Sequence, residues 1–162
     1  MSTQSTDKPV VVILRGLPGA GKSSYAASLK GAKIVSADHY FDTPVGYRYD
    51  KSKISDAHRA CMRKFLDLLG AGERLVVVDN TNVRSMYWSP YATVADAMGY
   101  RVEIRSFWVP VDVSVARNIH TVPLYTVRNM AKSWEDVPFP WSGCDVLMNG
   151  VAGTPDLTRS SY

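Results

Sequence analysis

Gly16-Leu-Pro-Gly19-Ala-Gly21-Lys22-Ser23 is the stretch that decides the fold of this chain. It satisfies G-x-x-x-x-G-K-[ST] at every fixed position. Before it runs Val10-Val-Val-Ile-Leu14, a short aliphatic segment bounded by Pro9 and Gly16, as a strand buried on both faces should be. After it, helical spacing runs from about Lys22 to Leu29, with Gly31 as a C′ residue. A strand, a glycine-rich turn and a helix in that order make a phosphate cradle. Glycines let successive backbone N–H groups point inward without Cβ obstruction, and the helix N-terminus adds partial positive charge. Lys22 then reaches the β- and γ-phosphates, and the Ser23 hydroxyl supplies a ligand to Mg²⁺. Gly16, Pro18, Gly19, Ala20, Gly21, Lys22, Ser23 and Ser24 are therefore expected to bind a nucleoside triphosphate, ATP, together with Mg²⁺.

Outward from this loop, strand-like and helix-like segments alternate. Lys33–Ser36 reads as a second strand and residues 40–53 as a loop without period. Ile54, Ala57, Cys61, Phe65, Leu68 and Leu69 recur at helical spacing up to Gly70. Leu75-Val-Val-Val-Asp79 is the clearest buried strand. A helix over about 85–98 contains Pro90, which should kink it or restart it. Arg101–Trp108 alternates as a fourth strand, short helices over about 113–118 and 123–134 follow, and residues 144–148 offer a fifth strand. This alternation predicts an α/β fold: an open parallel sheet of four to five strands with helices on both faces. Ligands in such sheets bind at the carboxyl ends of the strands. The expected division is a flexible N-terminus over 1–9, a nucleotide-binding domain over 10–137, and a C-terminal segment over 138–162 holding a last strand and a disordered tail.

Composition removes other classes. The 162 residues make one domain, and 46% hydrophobic residues suffice for a core. With 19 Lys and Arg against 15 Asp and Glu, the net charge of +4 is only mildly basic. Cys61 and Cys144 are too few for a disulfide framework. The first nine residues lack a signal peptide's apolar core, and no run approaches the roughly 20 residues of a membrane span. The expectation is a cytoplasmic protein with no membrane partner.

Three further strand ends carry candidate chemistry. Asp38, in Ser36-Ala37-Asp38-His39-Tyr40, either takes a proton from an attacking hydroxyl or caps a short helix. Asp79, in Asp79-Asn80-Thr81-Asn82, either associates with Mg²⁺ or, like Asn82, caps the next helix. Arg117, in Arg117-Asn118-Ile119-His120, either neutralises a transferring phosphoryl group or is simply solvated. His120 reads as structural or exposed rather than catalytic.

Together GLPGAGKSS, SADHYF, VVVDNTN and RNIHTVP, in this order over about residues 10–136, resemble the kinase module of phage-type polynucleotide 5′-kinases. The wider set resembled is that of small P-loop kinases, AAA-type and zeta-toxin-like. The resemblance implies the P-loop strand order 2-3-1-4-5 with a helical lid. It implies Asp38 as the general base, Lys22 and Arg117 on the phosphates, Ser23 and Asp79 at the metal, and a cytoplasmic setting (that of the host, for a phage-encoded chain). The implied activity is transfer of the ATP γ-phosphoryl group to the 5′-OH of DNA or RNA.

Two departures stand out. Phe41 occupies a position where phage polynucleotide kinases carry an arginine that holds the acceptor strand, and Thr121 one where the wider group has glycine. The Phe41 departure leaves a second acceptor class open, a modified-base hydroxyl such as 5-hydroxymethyluracil in DNA or a small-molecule alcohol. A non-catalytic ATP-binding module is a third reading. Candidates for acceptor contact are Asp38, Tyr40, Phe41, Arg48 and Asn82. All but Asn82 lie in or beside a stretch, 40–64, that interleaves aromatics with cations, as single-stranded nucleic acid requires. The alternative for that stretch is a solvated helix face beside a loop packed on the core.

Overall fold

A computed structural model of the protein describes residues 7–149. Its main sheet is built from β1 (Val10–Gly16), β2 (Lys33–Val35), β5 (Leu75–Asp79), β6 (Arg101–Trp108) and β7 (Asp145–Asn149). All neighbours pair in parallel, in the order β2-β5-β1-β6-β7. Counted by the sheet's own strands, that order is 2-3-1-4-5.

The central strand shows why. Val11, Ile13, Val76 and Val78 point to one face, and Val12, Leu14 and Val77 to the other. A strand apolar on both faces is stable only with helices on both sides. On the first face Ala57, Cys61, Phe65 and Leu69 of α2 (Ile54–Gly70) pack with Trp88, Tyr91, Ala92 and Ala95 of α3 (Ser85–Ala97). The second face is covered by α1 (Lys22–Ser28), α4 (Val111–Arg117) and α5 (Leu124–Lys132), through residues such as Ala26, Val115 and Val127. Among the described residues no helix is long and apolar enough to cross a membrane.

Two local expectations are corrected. Residues 40–53 are not a plain loop. A 3₁₀ turn at Ala37–Phe41 leads into a hairpin of β3 (Asp42–Thr43) and β4 (Gly46–Tyr47), and a second 3₁₀ turn spans Lys51–Lys53. Thr43 Oγ1 closes the hairpin by donating to the Gly46 carbonyl at 2.6 Å and accepting from the Val45 N–H at 3.3 Å. Pro90 does not restart α3, which runs continuously through it. Only the bond to the Met86 carbonyl is forfeited, and Met86 and Pro90 are both exposed, so water can take that carbonyl. The last strand begins at Asp145 and pairs along β6 from Ile104 to Trp108, so the main sheet draws on the C-terminal segment. The N-terminus up to residue 6 and the tail from residue 150 lie outside the described residues.

One buried charge was not foreseen. Arg15, on β1 just before the glycine-rich turn, is 1% exposed. Its Nε donates to the Asn82 carbonyl (3.0 Å), Nη1 to Ser106 Oγ (3.2 Å), and Nη2 to the carbonyls of Val83 (3.3 Å) and Glu135. The guanidinium also lies 4.6 Å from the Trp134 ring. Burial lowers its pKa, and Asp145, Asp136 and Glu135 oppose that fall. An arginine so placed remains charged.

Candidate active site

The glycine-rich loop is held from two sides. Gly19 has φ +73°, and a Cβ there would lie 2.9 Å from both Arg117 Cβ and the Ser114 carbonyl oxygen, so only glycine fits beneath α4. Ser114 Oγ donates to the Pro18 carbonyl at 2.5 Å, tying that helix to the loop. Lys22 is buried, and its Nζ donates to the Gly16 and Leu17 carbonyls, each at 2.9 Å. Burial brings its ammonium down to about 8, while Asp79 and then Asp38 pull the other way. Beside it, Ser23 Oγ donates to Asp79 Oδ2 at 2.8 Å.

Each residue of Asp79-Asn80-Thr81-Asn82 joins a different piece of the crevice. Asp79 receives Ser23. Asn80 Oδ1 accepts the Ala37 N–H at 2.8 Å, fixing the turn that bears Asp38. The Thr81 carbonyl accepts the Gly16 N–H at 2.8 Å. Asn82, at φ +47°, donates from Nδ2 to the Leu14 carbonyl at 2.8 Å. The capping alternatives fall away. Ser36, not Asp38, caps the 3₁₀ turn by accepting the Asp38 N–H at 3.2 Å. The first turn of α3 is bonded by the Glu135 carboxylate, which accepts the Ser85 N–H at 2.8 Å.

Asp38 is thus left exposed at the crevice. Tyr47 donates its phenolic hydrogen to Asp38 Oδ1 at 3.1 Å, and His120 Nε2 lies 3.9 Å from Oδ2. Burial lowers the pKa of His58 and the Asp38 carboxylate resists the fall, so a second imidazole is within electrostatic reach.

Two proposed acceptor residues are withdrawn on burial. Phe41 is 5% exposed, packed in the core with the Tyr47 and Tyr49 rings 6.0 and 5.2 Å away. Asn82 is 2% exposed and its amide is committed to Leu14. Tyr40 and Arg48 are exposed, as are Ser24 and Arg117. Sequence reading missed Arg15, Asn80 and Ser114, and set His120 aside. The composite signal of D-N-T-N was present, but its separate jobs depend on which strand ends lie side by side.

A family model described as AAA domain, AAA_33, matches residues 11–120. The chain belongs to that family. Human NEDD4-binding protein 2 is 29% identical over 134 residues, covering 78% of this chain, which spans only 8% of that relative's length. A chain of the Pnkp1/Rnl/Hen1 RNA repair complex superposes with a TM-score of 0.65 at 17% identity, over 81% of this chain and 45% of that one. A gluconokinase from Sinorhizobium meliloti 1021 does so with a TM-score of 0.59 at 16% identity, over 90% and 85%. At such identities the shared property is the fold, a P-loop kinase-like α/β sheet.

Proposed function

We propose that this protein is an ATP-dependent kinase that transfers the γ-phosphoryl group to a hydroxyl of nucleic acid, the 5′-OH of DNA or RNA. The observation that carries the reading is one crevice in which the Asp38 carboxylate, spared from capping, and Asp79 both act on the buried Lys22 ammonium. In this reading Lys22 and the loop N–H groups take the phosphates, with Arg117 beside Gly19 clamping the transferring group. Ser23 Oγ and Asp79 Oδ2 form a pair of hard oxygen donors 2.8 Å apart, which suits Mg²⁺ bound largely through water and phosphate. The metal would neutralise charge on the β- and γ-phosphates. Asp38 takes the acceptor hydroxyl's proton as the new O–P bond forms and the bond to the β–γ bridging oxygen breaks, releasing ADP.

Nucleic acid as acceptor is supported by charge. Among the described residues Arg48, Lys51, Lys53, Arg63 and Lys64 have no ion-pair partner, whereas Arg59 is paired with Asp56 at 2.8 Å. Tyr40 and Tyr49 are exposed beside them. A second reading, a small-molecule alcohol or a modified-base hydroxyl, is favoured by the burial of Phe41. No cation stands at that position to grip an acceptor strand.

The test is transfer of labelled γ-phosphate to 5′-OH single-stranded DNA, 5′-OH RNA, hydroxymethyluracil-containing duplex DNA and free alcohols. Label at oligonucleotide 5′ ends, reduced about 10²-fold or more by Asp38→Asn, is the expected result. Label only in the modified duplex or an alcohol would replace the acceptor. ATP·Mg²⁺ binding with no label anywhere would leave a binding module.

A further inference from the structure

The loop after α4 reaches both halves of the crevice. Arg117 lies against Gly19 at the phosphate loop, and three residues later His120 lies against Asp38. Asn118, next to Arg117 in the chain, fixes the turn that carries His120: its Oδ1 accepts the His120 N–H at 3.1 Å and its Nδ2 donates to the Val122 carbonyl at 2.8 Å. The His120 ring is stacked on Tyr47 with centroids 4.3 Å apart and planes 31° apart. Tyr47 belongs to the β3–β4 hairpin, so this stack joins the nucleotide-side loop to the hairpin beside the base. Its phenol donates to Asp38 Oδ1. Burial, then the Asp38 carboxylate, pushes that phenol well above its ordinary range, which keeps it a donor at neutral pH.

We propose that Tyr47 and His120 are positioning residues for Asp38, and that their ring stack is the link through which nucleotide at the phosphate loop orients that carboxylate. This rests on the reading of Asp38 as general base. Tyr47 occupies Oδ1, which leaves Oδ2, beside His120 Nε2, as the oxygen for the acceptor's proton. The proton of the acceptor hydroxyl passes to Oδ2 as the O–P bond forms and the bond to the bridging oxygen breaks, and it is lost to water after the product leaves. Nucleotide that settles Arg117 also settles His120, because Asn118 follows Arg117 directly in the chain and its side chain fixes the His120 N–H.

The test has two arms. Amide hydrogen exchange over residues 42–48 is measured with and without an ATP analogue with a non-hydrolysable β–γ bridge plus Mg²⁺. The expected result is slowing by about threefold or more in wild type and in His120→Phe, which keeps a ring, and none in His120→Ala. This arm needs no acceptor. In the second arm, transfer to a 5′-OH oligonucleotide is followed. Tyr47→Phe should lower kcat about tenfold with the KM for ATP unchanged, because the stack survives and only the hydrogen bond is lost. His120→Ala should likewise lower kcat with the KM for ATP unchanged, and His120→Phe should restore it. Equal protection of the hairpin in His120→Ala and wild type, or a Tyr47→Phe kcat within about twofold of wild type, overturns the proposal. Nucleotide-dependent protection that requires His120, with no transfer to the oligonucleotide by wild type, upholds the link and overturns the acceptor.

Discussion

Lys22 carries the clearest consequence at the scale of single residues. With its ammonium near 8, it is charged below that pH and increasingly neutral above it. Bound triphosphate favours the charged form, so binding takes up a proton wherever Lys22 is neutral. ATP affinity should be flat up to about pH 8 and fall above it, by up to tenfold per pH unit. Titration calorimetry between pH 7 and 9.5 checks this, with a weaker and pH-independent affinity expected of Lys22→Met. Thr121 offers a second test. It is β-branched yet sits at φ +53°, a conformation that glycine adopts freely. Thr121→Gly should therefore stabilise the protein by roughly 0.5–1 kcal/mol, despite glycine's greater freedom when unfolded, and raise the midpoint of thermal unfolding by a few degrees. The glycine-rich loop was legible because close approach to phosphate restricts residue type at each position. The brace formed by Asn80 and Asn82 was not, because an asparagine amide serves a cap, a turn or a distant carbonyl equally well.

At the scale of elements, Arg15 joins β1 to β6, to the entry of α3 and to the segment at Glu135 through four hydrogen bonds. Arg15→Leu would strip the Asn82 and Glu135 carbonyls of the guanidinium donor and leave the Val83 carbonyl with the Glu135 N–H alone. A loss of about 2–4 kcal/mol is expected in urea unfolding, with weaker ATP binding because the loop follows directly. Helices and strands were readable from periodicity: Ala57, Cys61, Phe65 and Leu69 recur every four residues and all face the sheet. The hairpin at 42–47 escaped that reading. Two-residue strands have no period, and their position is set by Thr43, Gly46 and the packing of Phe41.

Across the whole molecule, the edge strand comes from far along the chain. β7 pairs with β6, and Asp145 accepts from Ser106 Oγ at 2.6 Å, the same hydroxyl that accepts from Arg15. A chain ending at residue 137 would expose the edge of β6 and remove one support of Arg15. Its thermal midpoint should fall by about 5–10 °C in calorimetry. The sequence by itself determined the parallel sheet and the phosphate loop, since aliphatic runs and glycine spacing act through neighbours a few residues away. It also named Asp38, Asp79 and Arg117 as candidates. Only the tertiary structure decided which neighbours each of them has. The crossovers bring residues 15, 38, 80 and 120 to one end of the sheet, and burial there removes Phe41 and Asn82 from the surface while setting His120 beside Asp38. Those contacts span tens of residues, and pairings at that range come from how layers pack rather than from any local pattern.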